Sequence, residues 1–280
     1  MVCAVILHLA LSAIAPVAAP LQRWQRYHAP DTGSTTGRND RESERWMARA
    51  SRRAWNLDEA MAALDAVRDE QIATIFARRN PGMVVWGIRY GDLEKIAKQI
   101  TPNAELAAAL WDTGVFEART LALRVLPNGA LTEAQIDAWV ADLNFPTLSD
   151  EFAGAVFHTP WARSKMDAWI EDERDFVKRA GYALLYGFAA EPDSGISREE
   201  WLAWLKRIER EIHQSPNWSR EMMNLLPIAI GLRDTALYEP ALAAARAYGK
   251  IDVFHGDKTN CKIQDPVALL QDPRTKIKRY

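Results

Sequence analysis

Three stretches of this chain carry the same helix-start signal: Asn56-Leu-Asp-Glu59, Thr132-Glu-Ala-Gln135 and Ser197-Arg-Glu-Glu200. In each, an N-cap side chain accepts a first-turn backbone N–H, and the acid or amide three residues on reaches back to the cap's own N–H. Apolar residues at three- and four-residue spacing follow, in LDEAMAALDAV, QIDAWVADL and WLAWLKRIEREIHQ. That spacing lays an apolar stripe along one helix face. The pattern continues between them. ITPNAELAAALWDTG closes on Gly114, a C-cap signal. HTPWARSKMDAWI begins with Pro160 near a first helical position. DFVKRAGYALLYGFAA is apolar on nearly every side, as a central helix is, and LYEPALAAARAYG closes the set. Pro227, inside SPNWSREMMNLLPIAIGL, is expected to kink or shorten that helix.

No run longer than about four residues reads as a strand. The chain is therefore predicted to be all-α. About ten helices of roughly 10–16 residues, joined by short loops, suit antiparallel pairs that stack with a period of roughly 35–45 residues, the range of HEAT-like helical repeats in a solenoid. A four-helix bundle with additions is the alternative. With 280 residues, 48% hydrophobic and 26% charged, the chain can bury a substantial core. Trp111, Trp139 and Trp169 fall on apolar stripes and are expected in that core; Trp201 and Trp204 share a face expected to serve packing, with a DNA-facing role as the alternative. Glu117 and Arg119 are expected to cap or bridge neighbouring repeats.

Cys3 and Cys261 make no CxxC pair or disulfide framework, which suits a reducing cytosol. The five histidines (8, 28, 158, 213 and 255) form no HExxH and no helical pair, so no metal site is expected. Residues 1–55 carry eight Arg against four acids, a net of +4, which leaves −6 for residues 56–280 of the chain's −2. An acidic main domain is not a generic polyanion binder, and any nucleic-acid surface on it must be a local basic strip.

The domain division expected is an N-terminal extension over 1–55, a helical-repeat domain over 56–265 and a tail over 266–280. Residues 1–20 are apolar and uncharged. They lack the basic n-region of a secretory signal, and Pro16 and Pro20 break the run below membrane-spanning length. Residues 21–55 show no clear periodicity and read as disordered. Three readings stay open for 1–55: an upstream extension from a misassigned start, a weak targeting segment, or a basic arm that touches a polyanion.

ELAAALWDTGVFEARTLA (105–122), AWVADLNFPTLSDEFAGAVFHTP (138–160), DERDFVKRAGYALL (172–185) and the tail GKIDVFHGDKTNCK (249–262) come in an order and spacing that resemble the bacterial DNA-alkylation-repair proteins of the AlkD type. The resemblance covers roughly residues 57–265 and implies a fold of HEAT-like repeats. It also implies a DNA glycosylase that excises bases made cationic by N3 or N7 alkylation, without metal or cofactor. In that chemistry the cationic base is a good leaving group, and positive charge grows on the sugar. A carboxylate near C1′ stabilises that charge, and aromatic rings around it add cation–π attraction.

The resemblance places the catalytic acid at Asp150 and a backbone-contacting arginine at Arg179. Lys178, Arg220 and Lys165 are further candidate DNA contacts, and Phe145, Tyr182 and Trp218 are candidate aromatic contacts. Two rings of the family's cage have no counterpart: Pro146 stands four residues before Asp150, and Leu225 stands where a later Trp is expected. The residues also allow a plain reading. Ser149 as N-cap makes Asp150 and Glu151 first-turn acids that favour the helix dipole. Arg179 then pairs with Asp175, Glu173 or Asp150 itself. His255 to Cys261 reads as a structural turn, either a small anion-binding turn or a clamp folding the tail back.

The expected function is a DNA-binding repair protein acting on double-stranded DNA, as a cytoplasmic monomer without membrane association. If catalytic, it is a monofunctional glycosylase with water as nucleophile and no lyase step. The alternative is a non-catalytic HEAT-like scaffold that binds DNA structures or a protein partner.

Overall fold

The computed structural model describes residues 52–78, 80, 82–256 and 262–275. The readings for residues 1–51 and 257–261 therefore lie outside the described residues. Among the described residues the regular structure is helical, and the one β feature is an isolated parallel bridge between Arg53 and Ile100. The helices fall into two compact units, divided between Ala130 and Leu131.

The first unit holds α1 (Leu57–Asp65), α2 (Glu70–Ala77), α3 (Tyr90–Ala97), α4 (Ala104–Asp112) and α5 (Phe116–Val125). Asn56 and Glu59 close the expected capping box on α1 at 2.8 and 3.0 Å. Asn103 caps α4, which ends at Gly114 in the left-handed region, as its sequence requires. Trp111 is buried in this core. The Glu117 carboxylate, in the first turn of α5, is fully buried. It accepts three successive backbone N–H groups, from Trp86 (2.9 Å), Gly87 (2.7 Å) and Ile88 (3.1 Å). These bonds fix the 86–88 segment, and a Cβ at Gly87 would lie 2.0 Å from the Asp69 carbonyl. Arg119 Nε donates to the Trp111 carbonyl at 3.2 Å, a bond within the α4–α5 hairpin.

The second unit holds α6 (Glu133–Trp139) with a short 3-10 turn (Val140–Asp142), α7 (Pro146–Phe157), α8 (Ala162–Ile170) and α9 (Asp175–Ala190). It continues with α10 (Arg198–Glu211), α11 (Asn217–Arg233), α12 (Thr235–Tyr248) and α13 (Pro266–Gln271). The capping boxes at Thr132 and Ser197 both form. Helix α9 is the centre, packed by α7, α8 and α11, while α12 joins α11 to α10. Ten of its sixteen residues are buried, which is why its sequence is apolar all round. At Gly181 it meets α8 so closely that a Cβ would lie 2.6 Å from the Ile170 nitrogen. Trp139, Trp169 and Trp201 are core residues, and Trp204 is half-buried under Arg207.

Two local expectations need correction. Helix α7 starts at Pro146, with Phe145 as N-cap, so Ser149 is not a cap. Pro146 at the first helical position is pre-set for a helix start, and the Ser149 hydroxyl turns back to the Phe145 carbonyl at 3.2 Å. Asp150 consequently lies in the second turn. Pro227 does not shorten α11, which runs on to Arg233 under the packing of α9, α12 and α13. Pro160 lies near the start of α8 as expected, in the turn two residues before its first position, Ala162.

Candidate functional site

Asp150 on α7 and Arg179 on α9 are brought together in the core of the second unit. Arg179 Nε donates to Asp150 Oδ1 and Nη2 to Oδ2, both at 2.8 Å, a planar bidentate pair. Asp150 is 0% exposed and Arg179 1% exposed. The remaining face of the guanidinium is also used. Its Nη1 donates to the Trp218 carbonyl and to Glu221 Oε2, each at 2.8 Å. The other Glu221 oxygen lies 2.6 Å from His255 Nε2, and the His255 ring stands edge-on to Trp218 at 5.6 Å. Asp150, Arg179, Glu221 and His255 thus form one hydrogen-bonded chain across α7, α9, α11 and the segment after α12, buried at Asp150, Arg179 and His255 and half-buried at Glu221.

Burial pushes the Asp150 pKa up, against the opposing pull of Arg179. Burial also works against the Arg179 charge, but Asp150 and Glu221 outweigh it and raise its pKa. For Glu221, burial would raise the pKa. The bonds and charges of His255 and Arg179 prevail and hold it below the usual carboxylate range. A buried charge needs this degree of satisfaction, because desolvation is otherwise uncompensated.

A second carboxylate organises the same region. Asp175, the first residue of α9, accepts the N–H groups of Trp218 (2.9 Å) and Ser219 (2.7 Å) and also the Ser219 hydroxyl. Helix α11 has no side-chain cap of its own, so Asp175 fills that role from a neighbouring helix. At the opposite end, Arg233 of α11 donates to the carbonyls of Phe188, Ala189, Glu191 and Pro192 and closes the C-terminus of α9.

The other candidates are placed as follows. Phe145 and Tyr182 are buried, as is Leu225, and Trp218 is half-buried beside His255. Lys165 bridges to Asp137 (2.6 Å) and Glu133 (3.1 Å). The Lys178 ammonium donates to the Ile170 carbonyl at the end of α8. Arg220 donates to the carbonyls of Ser215 (2.7 Å) and Asp252 (2.8 Å). The structure therefore joins Asp150, Arg179 and the Trp218 backbone, and it engages Lys165, Lys178 and Arg220 in separate intramolecular bonds.

Sequence reasoning missed Glu221 and the outward link to His255. The one available signal was Glu221 three residues after Trp218, one helical turn along the same face. The turn read over His255 to Cys261 is described only as far as Gly256, and residues 252–255 before and at its start are tied to α11. Asn217 bonds both polar backbone atoms of Phe254, and Arg220 and Glu221 hold Asp252 and His255. Among the described residues no group of three or more His, Cys, Asp or Glu could hold a metal ion, and no helix is long and apolar enough to cross a membrane.

The second unit is an all-helical core built on α7, α9 and α11, with an Asp–Arg pair at its centre. Residues 60–258 match the family described as DNA alkylation repair enzyme, and the chain belongs to that family. An uncharacterized protein of Listeria innocua is 28% identical over 229 residues, which cover 79% of this chain and 98% of the relative. One of Listeria monocytogenes is 27% identical over 230 residues, covering 79% and 99%. A solved structure superposes with a TM-score of 0.70 at 24% identity, over 80% of this chain and 98% of its own. Its protein is described as belonging to a new family related to the HEAT-like repeat DNA glycosylases, with affinity for branched DNA structures. The fold is accordingly the HEAT-like repeat helical fold, as its sequence implied.

Proposed function

We propose that this chain recognises branched DNA and does not excise bases. The observation that carries the reading is the state of Asp150. Both its oxygens are bonded to Arg179, and no part of it is exposed. Stabilising a sugar cation needs a carboxylate within contact of C1′ and room for the ring. Here that carboxylate neutralises a buried guanidinium instead. The aromatic positions agree, since Phe145 and Leu225 are core residues and Pro146 starts a helix. Family membership and the affinity described for the structural relative favour DNA as the partner.

The test uses the full chain with a labelled four-way junction, a three-way junction and a linear duplex of matched sequence, and compares affinities. A second arm incubates the chain and its Asp150→Asn variant with duplex containing N7-methylguanine and measures free base. The expected result is junction binding at least about tenfold tighter than duplex, a difference of about 1.4 kcal/mol, and base release at the spontaneous rate. Base release by the parent that drops in the variant would restore Asp150 as the catalytic acid and sink this reading.

A further inference from the structure

Phe254 is the most exposed large hydrophobic side chain among the described residues, at 63%, ahead of Val84 and Ile75. Isolated exposed apolar residues are ordinary. The difference here is how firmly the backbone under this ring is held. The Asn217 side chain accepts the Phe254 N–H at 2.7 Å and donates to the Phe254 carbonyl at 3.0 Å. Val253 and His255 on either side are buried, and His255 is tied to Glu221 at 2.6 Å. Arg220 holds the Asp252 carbonyl at 2.8 Å. Four side-chain bonds thus fix a segment that buries the apolar Val253 and turns the apolar Phe254 to water.

The surroundings indicate what that ring meets. Lys250 and Asp252, the other exposed side chains of the strap, are charged. A protein-binding hot spot sits within an apolar patch that excludes water around it. A lone ring on a charged, rigid strap instead suits a planar aromatic partner that brings phosphate with it. Unpaired bases stack on such rings whatever their identity, and apolar side chains also wedge into base steps that are already weakened. A branch point supplies both.

We propose that Phe254 is the base-stacking contact of this protein, set against an unpaired or unstacked base at the branch point, with Lys250 reaching an adjacent phosphate. The assignment rests on the branched-DNA reading above and names the residue that gives it selectivity. No bond is made or broken, and no metal takes part.

The experiment compares the full chain with Phe254→Ala and Phe254→Trp on a four-way junction, a linear duplex and a duplex with a one-base bulge. The fluorescent base 2-aminopurine is placed at the branch or in the bulge. Phe254→Ala is expected to weaken junction binding by about tenfold and duplex binding by less than about twofold, and to abolish 2-aminopurine quenching, while Phe254→Trp restores both. Because the side chain is exposed, melting temperatures should match. Unchanged junction affinity and quenching in Phe254→Ala, or equal weakening on all substrates, overturns the proposal. A loss of self-association in Phe254→Ala with DNA affinity intact assigns the ring to a protein contact and also overturns it. If the parent binds junction and duplex equally, the branched-DNA reading falls by itself. Stacking is then decided on the bulge, where quenching that survives in Phe254→Ala rejects it.

Discussion

Arg179 serves two carboxylates and one carbonyl from a buried position. Replacing it with Met keeps much of the volume but strands Asp150 and Glu221 without their cation. A loss of about 3–5 kcal/mol is expected, read from urea unfolding followed by far-UV circular dichroism. Two acid-range variants should move in opposite directions. The Glu221 pKa is held low in the folded chain, so the folded state gives up its proton more readily than the unfolded one. The stability this contributes is complete above about pH 4.3, the unfolded value, and is lost as pH falls through the folded value. Glu221→Gln should therefore flatten the acid limb of stability against pH. Burial raises the Asp150 pKa, so the folded state there takes up a proton first and gains relative stability as pH falls. Asp150→Asn removes that gain and should steepen the acid limb. Denaturant midpoints between pH 6 and pH 3 check both.

At the scale of elements, the local signals read well. The boxes at Asn56, Thr132 and Ser197 all close, and Gly114 ends α4. They are legible because cap and partner lie within four residues of one another. The start of α7 is ambiguous in the sequence because two start signals compete there, Ser149 as a cap and Pro146 as a first residue. The helix begins at Pro146, and ten of its twelve residues are buried. The ion chain was half legible. Asp150 and Arg179 stood out by resemblance, and Asp150 was among the partners expected for Arg179. Glu221 is 42 residues from Arg179 and 34 from His255, so no local pattern could link them. Close helix packing makes its own prediction. Gly181→Ala places a methyl against the Ile170 backbone, and a loss of about 1–3 kcal/mol is expected in the same unfolding assay.

For the whole molecule the decisive quantity is charge. Residues 56–280 carry −6, and Lys165, Lys178 and Arg220 are each bonded within the chain. Few phosphates can then be neutralised, and each one contributes about −0.9 to the slope of log affinity against log salt. A slope no steeper than about −3 is expected for junction binding by the full chain, measured by anisotropy from 50 to 200 mM salt. A much steeper slope would assign the phosphate contacts to the eight arginines of residues 1–55. The cap that Asp175 lends to α11 bears on how such a molecule assembles. The start of one helix is written in the first residue of another, more than forty positions earlier. Helix α11 cannot settle its first turn until α9 is docked, so its beginning forms late. Asp175→Ala should accordingly speed unfolding far more than it slows refolding, the signature of a contact made after the rate-limiting barrier.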